Sequence, residues 1–324
     1  MGRKWREKKM AAAVFLIAFT VAGGSIQAES QGEAQKPLRA VIFYQAQIWV
    51  QDINIMQQIA QSIERGLEGH PEVALSCYGT EDMSMTDAMK AAVNMKTDVM
   101  ICYGLDSQEA RRQYQNLADH GIRVILVDGD VEDCGRLAYI GTDNYGAGVQ
   151  AAEIVLRENG EDSQIAVLAP NLQTGLRSVG ARLEGFDAAA EENGLKIEAY
   201  CETTYDSLTA IQEIEALLDE HPNLDVLFCS EAVSGQAAAD VIEERGRNDE
   251  ILVITYDRNQ NIEDDLRKKA LDLTLTQNTE AIGEACAQML IALAADRTME
   301  TGEDVLFPCI PVTAEDLGGE NNEP

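Results

Sequence analysis

Short apolar runs alternate with longer amphipathic stretches along the chain from Leu38 onward. The short runs are rich in aliphatic, β-branched and aromatic residues, which is typical of buried strands. The longer stretches, such as IMQQIAQSIERGLEG and EAIGEACAQMLIALAA, repeat apolar residues at helical spacing. Strands that alternate with helices predict βαβ units and parallel sheets. The strand candidates are RAVIFY, VALSCY, DVMICY, RVILVD, AYIG, QIAVLA, KIEAYC, LDVLFC, ILVITY and LDLTLT.

These strand candidates are too many for one small sheet. The alternation before the segment GTDNYG fills one sheet, and the alternation after it fills another. The pattern therefore predicts an α/β protein with two lobes, each built like a Rossmann fold. In open α/β sheets, ligands bind outside the carboxyl ends of the strands. Two such lobes facing each other would place both sets of strand ends in one cleft.

Two of the apolar runs finish on carboxylates. VILVDGD runs into Asp128, and ILVITYD ends on Asp257. A carboxylate would be costly inside a strand, because a buried charge needs a partner. At a strand end that faces a cleft, the same carboxylate accepts hydrogen bonds from a ligand. We therefore expect both aspartates to lie at the cleft.

The first 28 residues have the pattern of a secretory signal. MGRKWREKK is basic, an apolar run follows it, and a small residue, Ala28, ends the segment. The apolar run is shorter than the roughly 20 residues that span a bilayer comfortably, and an uncleaved membrane anchor is the alternative. The sequence predicts export and an extracytoplasmic location.

The composition narrows the classes of function. A formal net charge of −31 repels nucleic acid phosphates and argues against DNA or RNA as a partner. The seven cysteines show no CxxC spacing, so thiol-bound metal is not expected, and Cys102 and Cys229 lie in strand-like runs as small apolar residues. No phosphate loop, nucleophile elbow or HExxH site occurs, so we expect neither a cofactor nor an enzyme.

The order of these segments resembles the type I periplasmic solute-binding proteins, in particular the ribose, galactose and xylose branch that serves ABC sugar importers. The resemblance covers about residues 38–316. The segments that carry it are VILVDGD, YIGTDNYGAGVQAAEIV, GARLEGFDAAA, NLDVLFCSEAVSGQAAADVI and ILVITYDRNQNIEDDLRKKALDLTLTQNTEAIGEACAQML.

The resemblance implies two lobes joined by three crossovers that close like a hinge on a ligand. The first lobe would contain residues 38–142 and 278–303, and the second 143–277 and 304–316. Residues 317–324 have no apolar periodicity and are expected to form a disordered acidic tail.

Three residues match the family's ligand-binding positions. By resemblance, Asp128 and Asp257 accept hydrogen bonds from sugar hydroxyls, and Gln277 in LTLTQN follows the crossing strand. Each carboxylate offers two acceptor oxygens, which suits neighbouring hydroxyls of a sugar ring.

Other positions depart from the family. Gly129 stands where many relatives have arginine after the aspartate, and a second family arginine aligns with Gly180. Arg177 or Arg258 would have to replace it. After the first strand, YQAQIWVQD stands in place of the family's Asn and Phe, so Trp49 becomes the candidate stacking residue, with Gln45 and Gln47 as polar partners. A packing role for Trp49 is the alternative.

Further polar residues follow other strands. Tyr103 and Glu231 are candidate ligand contacts, and Gln173 lies at another strand end. We interpret Asp106, Asn171 and Ser230 as helix caps rather than ligand contacts, because polar residues between strand and helix commonly cap the helix.

The expected ligand is a small neutral sugar, since a cleft with several carboxylates and few arginines disfavours anions. A cationic solute remains the alternative. The expected partner is the permease of an ABC transporter, or a sensor kinase or chemoreceptor if the chain is a tethered sensor. The membrane would be reached only through that partner or the N-terminal segment, and we expect a monomer.

Overall fold

The computed structural model describes residues 36–45, 55–80, 83–171 and 177–318. The predicted signal segment, Gln47, Trp49 and Gln173 lie outside the described residues, as does the side chain of Gln45. The chain divides into residues 1–35 and a compact unit from Lys36 to Pro324. No helix in the described ranges is long and apolar enough to cross a membrane.

Two six-stranded sheets form the centre of the described unit. All ten strands predicted from the sequence are confirmed, and every described pairing is parallel except that of the last strand. The strands are β1 (Leu38–Gln45), β2 (Val73–Thr80), β3 (Val99–Tyr103), β4 (Arg123–Val127), β5 (Ala138–Thr142), β6 (Gln164–Pro170), β7 (Lys196–Thr203), β8 (Val226–Cys229), β9 (Leu252–Tyr256), β10 (Leu273–Thr276), β11 (Val305–Phe307) and β12 (Ile310–Val312). The strand orders are β11-β5-β4-β3-β1-β2 and β12-β10-β9-β8-β6-β7.

Helices cover both faces of each sheet. They are α1 (Ile55–Gly66), α2 (Met85–Asn94), α3 (Gln108–Asp119), α4 (Asn144–Asn159), α5 (Arg177–Glu192), α6 (Ser207–Glu220), α7 (Ala232–Arg245), α8 (Gln260–Lys268) and α9 (Thr279–Ala295). We call the first sheet with α1, α2, α3 and α9 the first lobe, and the second sheet with α4 to α8 the second lobe. The predicted α/β fold with two Rossmann-like lobes is confirmed.

Alternation along the buried strands produces two cores in each lobe. In β1, Val41 and Phe43 pack toward α2 and α3, whereas Ala40 and Ile42 pack toward α1 and α9. Successive strand residues point to opposite faces of a sheet, so a strand buried on both sides reads as one continuous apolar run. This is why the short runs in the sequence carried so few polar residues.

Three crossovers connect the lobes and lie side by side. The chain passes from β5 to α4, from β10 to α9 and from β11 to β12. The backbone N–H of Asp143 donates to the carbonyl oxygen of Phe307 over 2.8 Å. The hydroxyl of Thr142 donates to Oε1 of Gln277 over 2.8 Å. Each crossover is therefore hydrogen-bonded to another one.

The C-terminal segment differs from the expected lobe boundaries. Residues 304–316 were expected in the second lobe, but β11 pairs with β5 of the first sheet, and only β12 pairs with β10. The expected disordered tail also starts too early, because Leu317 is buried in a core of the second lobe. Three-residue strands and a single buried leucine leave too little periodicity for a sequence pattern to reveal.

One buried acid destabilises the second lobe at neutral pH. Asp265 of α8 is only 8% exposed. Burial raises its pKa from 3.8 to about 6; Lys268 opposes this, and Asp240 and Glu243 add to it. The folded protein therefore binds this proton more tightly than the unfolded chain does. Its stability contribution is lost as pH rises from about 4 to about 6.

We expect Asp265→Asn to raise the free energy of unfolding at pH 7 by about 1–3 kcal/mol, because it removes the cost of ionising a buried carboxyl. Urea unfolding at several pH values measures this, and the gain should vanish near pH 4. The matched control is Asp264→Asn, whose side chain is exposed and paired with Arg267. An equal gain in both variants would contradict this explanation.

Candidate functional site

Asp128 and Asp257 directly follow β4 and β9 and share an unusual backbone. Their φ angles are 61° and 66°, in the left-handed region. Asp and Asn tolerate this conformation better than most residues other than glycine. The left-handed turn ends each strand and directs the chain away from the sheet. The predicted positions of both aspartates at the strand ends are confirmed by the strand bounds.

Gln277 bonds to Asp128 across the crossovers. Its Nε2 donates to Oδ1 of Asp128 over 3.0 Å, while its Oε1 accepts from Thr142. Burial raises the pKa of Asp128, the amide of Gln277 opposes this, and the negative charge of Asp257 adds to it. Gln277 therefore connects the end of β10 to the first-lobe side of the cleft, and Asp128 and Asp257 are close enough to interact electrostatically.

Arg182 is a buried, positively charged residue of this region that the sequence analysis did not select. It is 4% exposed and lies on α5. Its Nε donates to Oδ1 of Asn144 over 2.9 Å, and Nη1 donates to the carbonyl oxygen of Ser230 over 3.1 Å. Its guanidinium carbon lies 4.2 Å from the centre of the Tyr256 ring. Burial alone would lower the pKa of Arg182, but Asp257 is the largest of several groups that raise it on balance.

Polar atoms around Arg182 lack partners among the described residues. Oδ1 of Asp257 and Oγ of Ser230 are both buried and accept or donate no hydrogen bond there. A buried polar atom without a partner is rare in proteins, because its desolvation is not offset. These two oxygens follow the neighbouring strands β8 and β9 and could accept hydrogen bonds from a polar ligand.

Two tyrosines border the same region. Tyr103 ends β3 and is partly buried, and Tyr205 lies between β7 and α6. Burial raises the pKa of Tyr205 to about 12; Glu231 adds to this, Arg182 opposes it, and Tyr103 adds further. Tyr205 is thus close to groups from both lobes. The sequence analysis missed it because an aromatic residue in a loop carries no periodic signal.

Ser230 and Glu231 follow β8, and the N-cap of α7 is the second of them. Glu231 is the N-cap of α7: its two carboxylate oxygens accept from the backbone N–H groups of Val233 over 2.6 Å and Ser234 over 2.9 Å. The hydroxyl of Ser230, which was interpreted as a cap, caps nothing. The cap lies one residue later than expected because α7 begins at Ala232. A ligand contact by Glu231 stays a prediction.

Asp106 is not a helix cap either. Asp106 pairs with Arg111 over 2.7 Å, and Ser107 caps α3. Asn171 donates from Nδ2 to Oε1 of Glu202 over 3.0 Å.

Each of the two arginines proposed as substitutes lines a cavity beside one of the two aspartates, and a ligand contact by either stays a prediction. Arg258 donates to Glu263 over 2.7 Å. Arg177 is exposed and lies 3.7 Å from Asp106 and 3.5 Å from Glu132, so it joins the second lobe to two first-lobe carboxylates. Arg182 lies two residues beyond Gly180, on a different face of α5, because two residues turn a helix by more than half a revolution.

The second aspartate of VILVDGD has a structural role. Arg136 donates from Nε to Asp130 over 2.6 Å and from Nη1 to Asp304 over 2.7 Å. Asp304 also accepts from the backbone N–H of Tyr139 over 2.8 Å. This network fixes the loop after β4 to the chain that leads into β11.

Two cavities border the bonded residues Gln277 and Asp128. One has a volume of about 650 Å³ and is lined by Asp128 together with residues of β5, α4, α5 and β11. The other has a volume of about 510 Å³ and is lined by Asp257 and Gln277 with residues of α1, α8, α9 and β12. Both have the size of small-molecule sites. One cavity therefore borders Asp128 and the other borders Gln277, the two residues that this hydrogen bond joins.

Comparison with known proteins identifies the class. Residues 48–298 match the family described as periplasmic binding protein domain, which is more than half of the chain. The protein belongs to this family of extracytoplasmic solute-binding proteins, and it is a binding protein rather than an enzyme. It is 21% identical over 232 residues to the ribose import binding protein RbsB of Bacillus subtilis, covering 70% of this chain and 74% of that protein.

Solved structures share the fold. The glucose-galactose binding protein GanP from Geobacillus stearothermophilus matches with a TM-score of 0.73 and 21% identity, over 87% of this chain and 99% of that chain. A chain of the XylFII-LytSN complex matches with a TM-score of 0.67 and 22% identity, over 87% of this chain and 99% of that chain. Identities this low establish the fold and leave the ligand to be argued from the site.

The two arginines of α5 provide a test of this geometry. Arg182→Met leaves buried acceptors and Asp257 without their cation, so we expect it to cost about 3–5 kcal/mol of unfolding free energy. Arg177→Met removes only solvent-exposed ion pairs and should cost less than about 1 kcal/mol. Urea unfolding of both variants measures the difference. Equal losses would show that Arg182 is not the buried charge described here.

Proposed function

We propose that the protein captures a small neutral sugar between its two lobes and delivers it to the permease of an ABC importer. The observation that carries this proposal is the pair of buried, unpartnered oxygens of Asp257 and Ser230, which lie near the guanidinium of Arg182 and the carboxylate of Asp128. Sugar hydroxyls both donate and accept hydrogen bonds, so they match carboxylate acceptors and a guanidinium donor together.

The charges of the site favour an uncharged ligand. Asp128 and Asp257 face one buried cation, Arg182, whose charge already offsets one of them. An anion would meet two carboxylates against one guanidinium, so these charges disfavour an anion. The names of the relatives point the same way, since RbsB is a ribose import protein and GanP is a glucose-galactose binding protein. A neutral polyol ring fits this balance best.

Binding would act through closure of the lobes. Asp128 belongs to the first lobe, whereas Asp257 and Arg182 belong to the second. A ligand contacts both groups together only when the lobes approach each other, so it shifts the population toward the closed form. The hydrogen-bonded crossovers hold the hinge while this happens. The partner then distinguishes the closed form from the open form.

Sugar titrations test the proposal directly. Residues 29–324 contain the compact unit, and thermal unfolding with pentoses, hexoses, disaccharides, sugar alcohols and polyamines should show one stabilising sugar. A ligand at about 100 times its dissociation constant stabilises the folded state by about 2.7 kcal/mol. Stabilisation by a polyamine alone would replace the sugar with a cationic solute, and a flat response to every compound would contradict the proposal.

Asp257→Asn should weaken the binding free energy of the sugar identified in this panel by about 1.5–3 kcal/mol, the range for hydrogen bonds to a charged group. Asparagine keeps the left-handed backbone at this position, so the loss reports the carboxylate rather than a distorted turn. The control is Asp249→Asn, an exposed residue before β9, at the opposite end of the sheet. Unchanged affinity in Asp257→Asn would remove this residue from the site.

A membrane-tethered sensor is the second candidate, favoured by the match to a chain from the XylFII-LytSN complex. In this alternative, residues 1–28 stay attached as an anchor, and the closed form is presented to a protein partner instead of a permease. Mass spectrometry of the full chain expressed in bacteria separates the two. A mature protein that starts at Glu29 and is released supports delivery to a transporter, whereas an intact N-terminus in the membrane fraction supports the sensor.

A further inference from the structure

Two loops of the first lobe carry carboxylates beyond the ends of neighbouring strands. Asp106 follows β3, and Glu132 follows β4. Arg111 of α3 connects the two loops: Nε and Nη2 donate to the carboxylate of Asp106 over 2.7 and 2.9 Å, and Nη1 donates to the carbonyl oxygen of Glu132 over 3.3 Å. This pair holds the pKa of Asp106 below its ordinary value. First-lobe contacts alone therefore fix one carboxylate and the backbone that carries the other.

Arg177 of the second lobe reaches both of these acids. It is the first residue of α5, and its Nη2 lies 3.7 Å from Oδ2 of Asp106 while its Nη1 lies 3.5 Å from Oε2 of Glu132. The side chain is half exposed and lines the cavity that borders Asp128. The paired atoms belong to different lobes. These ion pairs therefore exist only while the lobes are close together.

Carboxylates of both lobes line this cavity. Asp128 and Glu132 belong to the first lobe, and Glu184 of α5 belongs to the second. Like charges that approach each other raise the electrostatic energy, and the whole chain carries a formal net charge of −31. Closure of the lobes is therefore opposed by repulsion at this cavity. A cation that pairs across the lobes offsets part of that repulsion without contacting a ligand.

We propose that Arg177 favours closure of the lobes, with or without a ligand, by pairing with Asp106 and Glu132, and that it thereby raises the affinity of the cleft for every ligand by the same factor. Arg177 is a positioning residue, because the apparent affinity scales with the population of the form that can bind. Its exposed ion pairs weaken as salt is added. This inference rests on the proposed closure around a ligand and identifies a residue that makes closure depend on salt.

Calorimetric titration of the full-length protein with D-ribose, D-glucose and D-galactose measures this factor. We expect Arg177→Met to weaken each sugar that binds by about two- to fivefold in about 0.01 M salt, the range for exposed ion pairs. In about 1 M salt, where charges are screened beyond about 3 Å, the variant and wild type should bind equally well. A loss that differs among sugars, or that persists in 1 M salt, would indicate contact with the sugar and overturn the proposal.

Glu132→Gln distinguishes pairing across the lobes from a direct ligand contact. Alone it should weaken each sugar by less than Arg177→Met does, because the pair with Asp106 remains. Combined with Arg177→Met it should cause no further loss, since the pair is already broken. Additive losses would contradict the proposal. The control is Arg157→Met, which removes a similarly exposed arginine paired with its neighbour Glu158 and should leave every affinity unchanged. Thermal unfolding confirms that each variant is folded.

Small-angle X-ray scattering separates this inference from the proposed function, because it reports lobe closure without any sugar. In about 0.01 M salt, Arg177→Met should have a larger radius of gyration than wild type and Arg157→Met, and the difference should vanish in about 1 M salt. If this difference is present but no sugar binds, the sugar-binding function falls while the role of Arg177 stands. Equal radii for the three proteins would overturn the role of Arg177 and leave sugar binding untouched.

Discussion

The burial of one guanidinium group sets the geometry of the second lobe's side of the cleft. Arg182 is held where water cannot solvate it fully, so Asn144, the carbonyl oxygen of Ser230 and the Tyr256 ring surround it. It reaches this position because α4 and α5 approach closely: a Cβ on Gly148 would overlap the carbonyl oxygen of Arg182. A charge that is costly to bury can thus be fixed before any ligand arrives.

Hydrogen bonds at the crossovers connect the strand ends of the first lobe to the second lobe. Gln277 follows a second-lobe strand, yet it bonds to Asp128 and to Thr142 at the ends of first-lobe strands. Asp128 and Asp257 both turn the chain through left-handed conformations, so the two lobes present equivalent strand ends to one cleft. The same hydrogen bonds that hold the hinge together therefore also orient a candidate ligand group.

Several site residues differ from the sequence-based expectation by one or two positions. Glu231 caps α7, and neighbouring Ser230 supplies an unpartnered hydroxyl instead. Arg182, rather than Arg177 or Arg258, is the arginine that is buried. Side-chain direction changes with each residue along a strand or helix, so a shift of one residue decides which side chain caps the helix and which is buried. Arg177, at the start of the same helix as Arg182, is exposed and pairs with Asp106 and Glu132 of the other lobe.

The sequence by itself determined the alternation of strands and helices, the two-lobed α/β fold and the strand-end positions of Asp128 and Asp257. These follow from local periodicity and from the cost of placing a carboxylate inside a buried strand. Only the tertiary structure decided that β11 joins the first sheet, that Arg182 is the buried cation and that Arg177 pairs with two carboxylates of the other lobe. Each of these depends on contacts between residues far apart in the chain, and no local pattern records such contacts.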